Sequence, residues 1–138
     1  MADETGAEAM AVLRGFMAEM NVWEVRHYPP VAGGDPKRFA EARRDLAPIY
    51  DRYVTARERK RGKLMAGPAL GSPPEFDPER ESTETVEVMP RRVVIVTQQQ
   101  TGFEMRCRYT LIRRGDRWLL DRKEEYDESD GKWRNAIL

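Results

Sequence analysis

The chain has 138 residues, 35% of them charged, and its 24 basic and 24 acidic side chains cancel. That length allows one domain around one core, and zero net charge argues against broad electrostatic capture of nucleic acid or an anionic membrane. Cys107 is the only cysteine and His27 the only histidine, which excludes an intrachain disulfide and a cysteine-based zinc site and removes most nucleophile–histidine schemes.

The opening "MADETGAEAM" is acidic where a signal peptide would be positive, and no apolar h-region follows it. No run reaches membrane-span length, so a cytoplasmic protein without a membrane partner is expected. The charge is unevenly spread: residues 1–34 carry a net −3, residues 35–63 +5, residues 64–90 −5 and residues 91–138 +3. Alternating blocks of this kind suit intramolecular pairing or a partner with a mixed-sign surface.

Residues 5–27 read as an amphipathic helix, with Met10, Leu13, Phe16, Met17, Met20 and Trp23 at three- and four-residue intervals. "YPP" at 28–30 is expected to end it, since proline disfavours helix in the residue before it. His27 would then cap a helix terminus. Asp35 followed by Pro36 is a helix start, and Phe39, Ala42, Leu46, Ile49, Tyr50 and Tyr53 continue at helical spacing. Pro48 predicts a kink or two short helices. Thr55 and Glu58 match the capping-box spacing and predict a further turn through "RKRGK".

Residues 62–82 hold four prolines and three glycines with no clean period, so a long loop is expected there. The period then switches to two. Strands are predicted near Glu84–Val88 and Arg91–Gln99. In the next, Phe103, Met105, Cys107, Tyr109 and Leu111 point to one side, and Glu104, Arg106, Arg108 and Thr110 to the other. Gly115-Asp116 makes a hairpin turn into "RWLLDRKEEY", a reading that also accounts for the RGD tripeptide at 114–116. Asp130-Gly131 is a second turn before a short last strand carrying Trp133.

Helices first and an antiparallel meander second define an α+β protein, with N-terminal helices packed on a curved sheet. A single domain over residues 1–138 is expected, with helices about 5–60, the loop at 62–82 and strands about 84–138. Val93 and Ile95 point one way, Val94 and Val96 the other. A strand apolar on both faces needs cover on both. The helices supply one layer, and a second copy of the sheet in a homodimer is one way to supply the other.

Such a cone can enclose a small-molecule cavity, in which Asp121 or His27 would be the acid or base; surface and capping roles fit them better. Cys107 on the apolar side of its strand reads as a small buried hydrophobe. Arg113, Arg114, Arg117, Arg122 and Lys123 face Asp121, Glu124, Glu125 and Asp127 in a ladder of opposite charges along one hairpin. No catalytic, metal or cofactor-binding set emerges.

"FMAEMNVWE", "IYDRYVTARERKRG", "PPEFDPE", "RRVVIVT" and above all "RYTLIRRGDRWLLDRKEEYDESDGKW", in this order and spacing, carry a resemblance. From about Phe16 to the end, the chain resembles the bacterial immunity proteins with a nuclear-transport-factor-2-like fold that occur beside polymorphic toxins. The resemblance implies a cytoplasmic protein that binds and neutralises a cognate toxin domain, in a family with no common catalytic motif, so no catalysis is expected. Neither a cofactor nor, with zero net charge, a nucleic-acid partner is expected. It transfers no site residues. Partner contacts are expected at Arg106 and Arg108, at Phe76 in the Pro-rich loop, and at Arg114, Asp116 and Arg117 in the hairpin. The alternative is a small-molecule binder or isomerase/dehydratase-like enzyme using the cavity of the same fold.

Overall fold

A computed structural model describes residues 2–59 and 74–138. The expected helical turn through 60–63 and the loop over 62–73 lie outside the described residues. Helix α1 spans Ala2–Ala32, α2 Pro36–Tyr53 and α3 Ala56–Arg59. The strands β1 (Glu81–Met89), β2 (Arg92–Gln99), β3 (Arg106–Arg114), β4 (Arg117–Asp127) and β5 (Lys132–Ala136) follow. They form one antiparallel sheet in the order β1-β2-β3-β4-β5, which is the α+β order read from the sequence.

Helix α1 does not end at Tyr28–Pro30 but runs through Pro29 and Pro30. Each proline withholds a donor from the residue four positions earlier. Those residues, Val25 and Arg26, are exposed, where water can satisfy the freed carbonyls. The stop is glycine: Gly34 takes φ +84° and its N–H donates to the Val31 carbonyl at 2.9 Å. His27 therefore caps nothing. It is buried a turn inside the helix and bonds Asp45 of α2, Nε2 to Oδ2 at 3.0 Å.

The start of α2 is as expected, with Asp35 accepting from the Lys37 N–H at 2.9 Å and Pro36 in the first turn. Pro48 does not divide it; α2 is one helix of 18 residues. The Glu58 N–H reaches Thr55 Oγ1 at 3.4 Å, so Thr55 opens α3. The Thr55 N–H also donates to the Leu120 carbonyl at 2.9 Å, tying the helical layer to β4.

The inner face of the sheet carries Val93 and Ile95 from β2, Cys107, Tyr109 and Leu111 from β3, and Trp118 and Leu120 from β4, all buried. Against it lie Ala9, Leu13, Phe16, Met17, Met20 and Trp23 of α1 and Ala42, Leu46, Ile49 and Tyr50 of α2. Each fully buried Leu, Ile, Phe or Met side chain contributes about 1.5–3 kcal/mol. Phe103 departs from the alternation. Gly102 and Glu104 both adopt positive φ, so the chain turns there, β3 starts at Arg106, and Phe103 stands 95% exposed in the connection.

A bulge in the β3–β4 pairing decides what the two faces carry. Leu111 pairs with Leu120 but Thr110 with Arg122, so Asp121 is the extra residue. After it the alternation of β4 inverts. Lys123 turns inward and is buried, while Arg122, Glu124 and Tyr126 share the outer face with Arg106 and Arg108. Lys123 is thus removed from the expected surface charge ladder.

Candidate partner-binding surface

The helices pack on the inner face, leaving the outer face without a layer from the described residues. Its centre is half-buried Val94, Val96, Thr110, Ile112 and Leu119. Toward β5 it becomes aromatic and basic. The four-residue connection after Asp127 sets Tyr126 directly opposite Trp133, and the two rings meet edge to face with centres 5.2 Å apart.

Two arginines complete the cluster. Arg108 forks onto Glu124, with Nε to Oε1 at 2.9 Å and Nη2 to Oε2 at 2.8 Å. Its guanidinium carbon also lies 4.5 Å from the centre of the Trp133 ring. Hydrogen bonds from Arg108 hold the Glu124 carboxyl below its ordinary pKa. Arg106 donates to Glu84 at 2.9 Å and stands 5.7 Å from the Tyr126 ring and 5.8 Å from the Trp133 ring. Carboxylates and ring faces thus hold both arginines in place. Binding hot spots are rich in Trp, Tyr and Arg.

Arg106 and Arg108 were legible from alternation on β3. Nothing in the sequence alone marks Tyr126, Trp133 and Glu124 as neighbours of these arginines. Pairing outward from the Asp130-Gly131 turn would have put Tyr126 beside Trp133, but the bulge at Asp121 hid which face they share with Arg108.

The other expected contact residues lie elsewhere. Arg114, Asp116 and Arg117 are exposed at the β3–β4 turn. Eight residues of strand, roughly 26 Å, separate Arg114 from Arg106, so the fold does not bring the two groups together. Phe76 is fully buried, edge to face with Phe16 at 5.2 Å and under the Lys123 ammonium at 4.9 Å. It anchors its segment to the core and offers no ring to a partner.

The groups a cavity enzyme would need have other roles. Asp121 accepts from Thr55 Oγ1 at 2.9 Å and from Arg57 Nη2 at 2.6 Å, fastening α3 to β4. Burial pushes the Cys107 thiol up to about 12, which keeps it from being a nucleophile. The carboxyl raised by burial is Glu81, whose Oε2 accepts from Thr97 Oγ1 at 2.6 Å. Burial alone would lower the Lys123 pKa, but Glu75, 3.4 Å away, and the other acidic groups around it outweigh burial and raise it. Phe16, Met20, Tyr50, Phe76 and Tyr109 are fully buried in the core.

Comparison with known proteins adds to this geometry. The model of the family described as NTF2 fold immunity protein matches residues 8–136. The chain is also similar to the immunity protein RhsIA of Dickeya dadantii (strain 3937), 34% identical over 128 residues that make up 92% of this chain and 93% of that protein. No solved structure matches the chain significantly.

Proposed function

Because this chain belongs to the NTF2 fold immunity proteins, and neutralises a toxin as they do, we propose that it acts by stoichiometric binding without catalysis. The outer face of the sheet is the docking surface in this reading. The supporting observation is the Arg106–Arg108–Tyr126–Trp133 cluster on a face left open by the helices. The half-buried valines and Ile112 beside it supply apolar area that a partner would desolvate, and the fixed arginines need little further ordering on binding. In this reading the encounter takes place in the cytoplasm and, with a net charge of zero, involves no nucleic acid; no helix among the described residues is long and apolar enough to cross a membrane.

The lack of catalysis is supported by Cys107, buried with its thiol pushed up to about 12, and by Asp121 held between Thr55 and Arg57. The test is to co-express the protein with its cognate toxin domain and recover the complex. A one-to-one complex containing toxin of unaltered mass is expected. Covalently altered toxin, or neutralisation at far below one equivalent, would contradict the reading. The same face is where the homodimer expected from the two-sided β2 would form. In that case light scattering would show a dimer that the toxin dissociates.

A further inference from the structure

At the opposite end of β3, the end of α2, the Val54–Thr55 link, α3 and the β3–β4 turn enclose a cleft of about 390 Å³. Four arginines line it, Arg57, Arg59, Arg114 and Arg117, against two carboxylates, Asp51 and Asp121. Both carboxylates are engaged. Asp121 holds Arg57 at 2.6 Å, and Asp51 pairs with Arg59. Arg114 and Arg117 have no carboxylate partner among the described residues. Arg117 is steadied by donating Nη2 to the Arg52 carbonyl at 2.7 Å, which leaves its other N–H groups available. Beneath them lie buried Val54 and half-buried Leu119, an apolar floor that strengthens a charge-assisted hydrogen bond formed above it.

We infer that this cleft receives a short acidic segment of a partner protein, with Arg114 and Arg117 donating to its carboxylates. The local character of the site favours this ligand over a nucleic acid: the guanidinium groups of Arg114 and Arg117 match one or two carboxylates, whereas the chain has no basic excess to draw in a continuous phosphate backbone. A compact cleft also fits a few side chains better than an extended strand. Leu119 is shared with the docking face proposed above, but Arg114 lies about 26 Å along β3 from Arg106, so substitutions at the two arginine pairs test the two readings separately.

The test is fluorescence anisotropy of a labelled hexaglutamate peptide with the full chain at low salt. Saturable binding is expected, weakened about tenfold or more in Arg114→Ala plus Arg117→Ala and unchanged in Arg43→Ala, an exposed α2 arginine away from the cleft. Arg114→Lys plus Arg117→Lys keeps the charge but not the fork, and is expected to fall between the two. Absence of saturable binding, or equal binding by the double alanine variant, would overturn the inference. So would tighter binding of a single-stranded oligonucleotide of equal charge, or full displacement of the peptide by an equal concentration of inorganic phosphate.

Discussion

Arg108 lies with its guanidinium carbon 4.5 Å from the centre of the Trp133 ring while its Nε and Nη2 donate to Glu124. One side chain thereby joins β3, β4 and β5 on the face the helices leave open. The ring is half-buried, so part of its area stays available to a partner.

Trp133→Ala is therefore expected to separate binding from folding. Loss of a stacked surface cation contributes on the order of 1 kcal/mol to stability, whereas truncating an aromatic anchor costs about 2 kcal/mol or more in affinity. Chemical denaturation and calorimetric titration with the toxin domain, run on the same preparation, measure both. A larger loss in stability than in affinity would make Trp133 a structural residue.

The Arg108–Glu124 pair sets a pH dependence with a definite sign. Hydrogen bonding from Arg108 lowers the Glu124 pKa from 4.5 in the folded state. Its contribution is present above that unfolded value and is lost as pH falls through the lower folded one. Arg108→Ala should cost about 2 kcal/mol at neutral pH, because a nearly buried carboxylate loses its charged donors. The gap from wild type should close in acid, as Glu124 protonates in both proteins. Urea midpoints from neutral pH downward test this, and a constant gap would count against it.

Phe76→Ala should behave as a core substitution. The ring is fully buried against Phe16 and Lys123, so a loss of about 3–5 kcal/mol is expected. Toxin affinity, measured below the unfolding transition, should stay near wild type. A large affinity loss in folded Phe76→Ala would return its segment to the interface.

Cys107 should resist thiol reagents in the native protein. Burial places its pKa at about 12 and its side chain out of contact with solvent. Reaction with a disulfide reagent should proceed only at the rate of unfolding and become immediate in denaturant. Fast native labelling would mean that the inner face opens locally.

The sheet was legible because period-two alternation is a strong signal in Arg91–Gln99 and in Arg106–Arg114, and because Gly115 and Gly131 mark turns through positive φ. The helical layer was legible from spacing, but its boundary was not. The effect of Pro29 and Pro30 depends on whether the freed carbonyls face water, which only the packing of α1 determines. The proposed binding surface was half legible for a similar reason. Arg106 and Arg108 followed from alternation, whereas the inversion at Asp121 depends on pairing with β3. That inversion buries Lys123 and brings Glu124 and Tyr126 onto the arginine face. Phe76 was misread because a Pro-rich segment suggests surface, while an aromatic within one often marks where it is pinned down.

The most direct test of the account is calorimetric titration of the cognate toxin domain with wild type and with Arg106→Glu plus Arg108→Glu, both checked for native stability. The account predicts one-to-one binding by wild type and a loss of roughly a hundredfold or more on charge reversal in the basic, aromatic part of the docking face. Unchanged affinity in a folded double variant would place the toxin elsewhere on the molecule and contradict the proposed surface.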